Sequence, residues 1–205
     1  MPRAAAGVVA LICWVALAVR FSVTYAETGD VLEALWILAR FFTILTNLAV
    51  AVAMTMVAFG KRISPGVEGG LMHAILLVGV VYVLLLQKLY HLTGAALFAD
   101  TLMHKVAPPA MAAYWLLFAR HGPMRWTEPL WWSIYPLGYF AYALVRGAIE
   151  GIYPYPFMDV GKIGAVQTAL NAAAIAAAFL VAGLALVWLD RRLLGRGMLL
   201  SKAPQ

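Results

Sequence analysis

Long apolar runs separated by short polar stretches organise the chain from end to end. Six of them are long enough for a helix to cross a hydrocarbon core roughly 30 Å thick at 1.5 Å per residue. They cover residues 4–22, 34–59, 70–90, 96–118, 129–149 and 165–188. The runs are unbroken, whereas barrel strands alternate over about 10 residues, so the pattern predicts helices. The expected fold is all-α: a polytopic membrane bundle of six transmembrane helices forming one domain over residues 1–205. The first run has signal-peptide features, a basic start at Arg3 and Val23-Thr24-Tyr25-Ala26 behind it. Its apolar stretch, Ala4 to Val19, exceeds the usual core of about 7–15 residues, so it is read as a span.

Composition agrees with the pattern. Hydrophobic residues make up 64% of the chain and charged ones 12%, against about 45–50% and about 25% in a soluble domain, so too little polar surface exists to cover a water-soluble globule. The lone cysteine, Cys13, excludes an intrachain disulfide and a cysteine-based zinc framework. The net charge of +6 would suggest nucleic acid in a soluble protein, but the cations segregate by side. Arg3, Lys61, Arg62, Arg120, Arg125, Arg191, Arg192, Arg196 and Lys202 fall together, while the opposite loops hold Arg20 and Lys162 beside Glu27, Asp30 and Asp159. Lys and Arg mark the cytoplasmic side, so both termini are expected there and no nucleic-acid partner is implied. Arg40, Lys88, Lys105 and Arg146 lie inside spans or at their ends. The loop 151–164 carries Tyr153-Pro154-Tyr155-Pro156-Phe157, a stiff path whose tyrosines suit the membrane interface.

Polar groups within spans are costly in lipid and face a bundle interior or an aqueous cavity. Measured from the cytoplasmic charges, Thr43 stands about 27 Å up from Lys61, His104 about 24 Å up from Arg120, and Arg146 and Asn171 about 27–28 Å up from Glu128 and Asp190. Four helices thus place polar residues in one layer toward the outer leaflet. In the second run, Trp36, Arg40, Thr43, Thr46 and Asn47 lie within about 60° of Thr43 on a helical wheel, although Thr and Asn also serve plain contacts between membrane helices.

The fourth run carries Asp100 and His104 four residues apart on one face, where the carboxylate orients the imidazole and leaves its other nitrogen as a base. Pro108 and Pro109 cannot donate to the carbonyls of His104 and Lys105, so this helix is expected to bend or open beside the histidine. In the fifth run, Tyr135, Tyr139, Tyr142 and Arg146 share a face that ends in an Arg146–Glu150 pair.

Thr, His and Asp together supply nucleophile, base and orienting acid, with Thr43 and, one turn on, Thr46 as candidate nucleophiles. Arg40, Thr46, Asn47, Tyr139, Arg146 and Asn171 are candidate substrate contacts, with Arg40, Asn47 or Arg146 also able to stabilise a developing oxyanion. The chain has no G-x-S-x-G, H-E-x-x-H or phosphate-loop motif, and no metal or cofactor is called for. A polar layer of this kind also suits a transporter, lipid carrier or sensor.

Arg40-Phe41-Phe42-Thr43-Ile44-Leu45-Thr46-Asn47-Leu48, Asp100-Thr101-Leu102-Met103-His104 and the stretch from Gly147 to Phe157 resemble the androgen-induced family of multispanning membrane proteins, most closely its bacterial relatives. The resemblance runs over nearly the whole chain. It implies a threonine hydrolase of fatty acid esters of hydroxy fatty acids in a bacterial cytoplasmic membrane, with membrane lipids and a lipid ester as partners. It also implies Thr43 and His104 as the catalytic pair. Animal members carry Asn at the place of Asp100, so the orienting role of Asp100 is an inference from this sequence.

Overall fold

The computed structural model describes residues 1–89, 91–119, 121–122 and 124–201, with backbone alone from residue 194 onward. Tyr90, Arg120 and Lys202, and the side chain of Arg196, lie outside what is described. The fold is all-α: the chain is 84% helical, with no strand among the described residues. It divides into two compact units, residues 1–120 and 121–205.

In the first unit, α1 (Pro2–Thr28) buries a stripe of small side chains, Ala6, Val9, Ala10, Cys13 and Ala16. Small residues let membrane helices approach closely, and α1 packs chiefly along α3 (Phe42–Ala58), where the Trp14 indole donates to Thr55 Oγ1 at 3.0 Å. The opposite face of α1 exposes Val8, Leu11 and Val15, as suits contact with lipid. The buried face of α3 runs through Thr43, Thr46, Asn47, Val50, Ala53 and Met54 at helical spacing.

A continuous helix over 34–59 is not what forms. α2 (Val31–Leu38) and α3 meet at 98°, with Phe41 extended at the joint. Asp30 starts α2 by accepting the Glu33 N–H at 2.8 Å. The helix then tightens: the N–H groups of Arg40 and Phe41 bond three residues back, to Ile37 and Leu38. No Gly or Pro lies at this joint, so periodicity ran straight through it.

α4 (Pro65–Val81) begins at the Ser64 cap and continues into a widened π turn, Tyr82–Leu86, closed by the Gln87 N–H on the Tyr82 carbonyl at 2.8 Å. α5 (Gly94–Thr101) leads through a second π turn, Leu102–Val106, into α6 (Ala107–Phe118). This opening is the one the proline pair demands. Pro108 and Pro109 have no N–H, and the Ala107 N–H bonds five residues back, to Leu102. α4 crosses α6 here because Gly79 has no side chain. A Cβ at Gly79 would stand 3.1 Å from the Pro108 ring and 3.2 Å from the His104 carbonyl.

In the second unit, α7 (Glu128–Glu150) packs against α8, a helical run from Val160 to Ser201 broken at Gly164. His121 Nδ1 meets the fully buried Asp190 at 2.9 Å, and Arg191 Nε donates to the Met124 carbonyl at 2.9 Å, joining the segment before α7 to the end of α8. The Tyr-Pro loop folds onto α7. The Tyr153 ring fills the space a side chain on Gly147 would occupy, Tyr155 stacks on Phe157, and Asn171 donates to the Phe157 carbonyl at 2.9 Å.

Among the described residues, three helices are long and apolar enough to cross a membrane: Pro2–Thr28, Pro65–Leu86 and Val160–Leu193. The bent α2–α3 pair makes a fourth if taken as one span. Large apolar side chains stand exposed along them, among them Val166, Leu170, Val181 and Leu184 on α8. These surfaces are compatible with an integral membrane protein and costly in water.

Candidate active site

Thr43 is the second residue of α3, and His104 is the middle residue of the π turn that leads into α6. Their chain neighbours hold them together. Ile44 and Leu102 pack on a core of Ala16, Ala99 and Met103, so apolar contact sets the separation of α3 from the π turn. Across it, Thr43 Oγ1 lies 3.2 Å from His104 Nε2. The histidine therefore meets Thr43 and not Thr46, which is fully buried one turn further on.

The other imidazole nitrogen decides the tautomer. His104 Nδ1 lies 3.0 Å from Asp100 Oδ1 and 3.0 Å from the Asp100 main-chain carbonyl. A peptide carbonyl only accepts, so Nδ1 carries the hydrogen. Nε2 is then the acceptor, and Thr43 donates to it. The i,i+4 spacing of Asp100 and His104 put them on one face, as expected from the sequence. From the middle of the π turn, the His104 side chain reaches both the carboxylate and the carbonyl of Asp100.

Tyr82 completes the arrangement from the π turn that ends α4. Its hydroxyl donates to Asp100 Oδ2 at 2.6 Å, and its ring stacks on the His104 imidazole with centroids 4.1 Å apart and planes 17° from parallel. The Lys105 ammonium stands 5.6 Å from the same ring. Sequence reasoning missed Tyr82. Its only trace there is a lone polar atom in the aliphatic stretch Val80 to Leu86, 22 positions before His104.

The site is nearly closed. The Thr43 residue is 7% exposed, and the side chains of His104 and Asp100 11% and 14%, so little of the site is open to bulk water. α3 starts with no capping side chain on Phe41, so the positive end of its dipole stands beside the Thr43 hydroxyl. Asn47, fully buried one turn below, donates its amide to the Thr43 carbonyl at 2.9 Å and anchors the first turn of α3. Arg40 lies at the α2–α3 joint, so the wheel of a straight helix no longer fixes its direction relative to Thr43.

Tyr139, Arg146 and Asn171 belong to the second unit, where each has a local role. Arg146 is buried and donates to Glu150 Oε1 at 2.7 Å, the expected pair, and to the Tyr142 hydroxyl at 2.8 Å. Tyr139 is buried against Tyr142, their rings 6.1 Å apart. Asn171 accepts from Gln167 at 2.9 Å while pinning the Tyr-Pro loop. Comparison with protein-family models, with curated proteins and with solved structures finds no match for this chain. The chemistry of the site therefore carries the functional reading.

Proposed function

We propose that this protein is an intramembrane lipid ester hydrolase in which Thr43 is the nucleophile, His104 the general base and Asp100 the group that orients it. The observation that carries this reading is the 3.2 Å approach of Thr43 Oγ1 to a histidine nitrogen whose partner nitrogen faces two acceptors. His104 Nε2 takes the hydroxyl proton as Thr43 Oγ1 bonds to the ester carbonyl carbon. The uncapped start of α3 meets the oxyanion that develops. Collapse of the adduct breaks the bond to the alcohol oxygen, which takes its proton from His104 and leaves an acyl-threonine. A water, deprotonated in turn by His104, adds to the acyl carbon; the bond to Thr43 Oγ1 then breaks, Oγ1 takes the proton back from His104, and the acid is released. The substrate class is fatty acid esters of hydroxy fatty acids or similar lipid esters, whose chains enter between helices without crossing water.

On this reading the protein spans the membrane six times, through α1, α3, α4 with its π turn, the run from α5 to α6, α7 and α8. Both termini are cytoplasmic, and the membrane is the bacterial inner membrane. α2, with Leu32, Leu35 and Trp36 exposed, lies along the outer interface, and the site opens toward the outer leaflet.

Labelling with a fluorophosphonate tests the assignment. The native protein is expected to be modified on Thr43, with labelling and ester turnover abolished in Thr43→Ala and lowered about 10²- to 10⁴-fold in His104→Ala. Full hydrolysis by Thr43→Ala would remove it. The α2–α3 break favours a second reading, since transporters bind substrate at interrupted helices. A non-enzymatic transporter, carrier or sensor would bind lipid yet show neither labelling nor turnover.

A further inference from the structure

The catalytic pair brought together by α3 and the π turn is not self-supporting. A histidine side chain can turn about two bonds, and Thr43 and Asp100 hold only the edge of its ring. The face is held by Tyr82. We infer that Tyr82 is the positioning residue of this site, clamping the imidazole face with its ring and the Asp100 carboxylate with its hydroxyl.

Three observations converge on it. The hydroxyl occupies Asp100 Oδ2 at 2.6 Å, which turns Oδ1 toward His104 Nδ1 at 3.0 Å. The ring lies 17° from parallel to the imidazole at 4.1 Å, close enough that the imidazole cannot tilt toward it. Tyr82 itself sits at the first position of one π turn, and His104 in the middle of the other. The two π turns, one carrying Tyr82 and the other His104, are thus opposing halves of one device. Gly79, one turn before Tyr82, lets the helices approach closely enough for it to close, because a Cβ there would press on Pro108 and on the His104 carbonyl.

The clamp has a chemical consequence. When His104 takes the Thr43 proton it becomes an imidazolium, and the negative π face of Tyr82 lies against that new charge. Tyr82 thereby favours the protonated state that forms during attack more than the neutral resting state. Its contribution belongs to the chemical step and not to substrate binding.

This inference rests on the hydrolase reading, and its test separates the two. Purified protein in nanodiscs carries ¹⁵N-histidine, and the His104 ring resonances are assigned with His104→Gln. Tyr82→Phe keeps the ring and loses the hydroxyl; Tyr82→Leu loses both. Under the clamp, the His104 signals shift in Tyr82→Phe and broaden or split in Tyr82→Leu, whether or not the protein hydrolyses anything. Unchanged signals in Tyr82→Leu would overturn the clamp. Hydrolysis of a fluorogenic fatty acyl ester supplies the second measurement. The expected kcat falls about tenfold in Tyr82→Phe and about a hundredfold in Tyr82→Leu, with KM within about twofold of native. Losses confined to KM, or a native kcat in Tyr82→Leu, would overturn the positioning role. Absence of turnover and of Thr43 labelling in the native protein would instead sink the hydrolase reading, and the resonances would still decide the clamp.

Discussion

On the proposed hydrolase reading, replacing Asp100 by Asn separates two jobs that a catalytic carboxylate usually performs together. Where a carboxylate alone sets the tautomer of a catalytic histidine, its amide costs about 10⁴ in kcat, because the imidazole turns over to the wrong form. Here the main-chain carbonyl of Asp100 also faces His104 Nδ1 at 3.0 Å, and it survives the substitution. The tautomer is therefore kept. The Tyr82 hydroxyl both donates and accepts, so it turns to receive the new amide N–H, and the geometry is kept as well. What is lost is the negative charge beside the imidazolium. A charge-assisted hydrogen bond is roughly twice as strong as a neutral one, a difference of ~1–1.5 kcal/mol. Residual Coulombic attraction across a site only 14% exposed at Asp100 adds about 1 kcal/mol. The sum, ~2–2.5 kcal/mol, corresponds to a fall in kcat of about 30- to 70-fold. Single-turnover hydrolysis of a fluorogenic fatty acyl ester in nanodiscs, with enzyme in excess, measures the acylation step directly. A loss of 10⁴ or more would show that the carbonyl does not hold the tautomer. A native rate would show that the Asp100 charge takes no part.

Two further substitutions test the packing that positions the site. In Gly79→Ala the new methyl meets a stiff proline ring and a main-chain carbonyl, neither of which can rotate away. Overpacking of about 1–3 kcal/mol exceeds the ~1 kcal/mol that Ala gains over Gly in a helix, so the melting temperature in detergent should fall by a few degrees; a rise would refute the close approach of α4 and α6. In Gly147→Ala the methyl displaces the Tyr153 ring, at a cost of about 2 kcal/mol. The double substitution with Tyr153→Ala should be no less stable than Tyr153→Ala alone, and full additivity of the two losses would refute the contact.

Much of this was legible in one dimension because it depends on composition and short-range spacing. Asp100 and His104 are neighbours at i,i+4, as are Arg146 and Glu150, and the helix itself guarantees both meetings. The proline pair announced an opening beside His104 because a missing N–H is a local fact. The α2–α3 break carried no such mark, since its joint reads Leu38-Ala39-Arg40-Phe41 with no residue that disfavours helix strongly. Extending the helical wheel across it joined Arg40 and Trp36 to a stripe that the real α3 begins only at Phe42.

The sequence by itself determined the vocabulary: an apolar chain of long helices compatible with a membrane, with a Thr, a His and an Asp as the groups proposed to do chemistry. Those follow from side-chain transfer energies and from periodicities that any stretch of chain expresses alone. The tertiary structure decided which threonine the histidine meets, since only the packing of Ile44 and Leu102 on the Ala16, Ala99 and Met103 core sets α3 against the π turn. It decided the tautomer, which depends on the main-chain carbonyl of Asp100 lying within hydrogen-bond distance of the ring. It also brought in Tyr82, 22 positions away in the chain and in direct contact with both His104 and Asp100, a proximity no local pattern encodes.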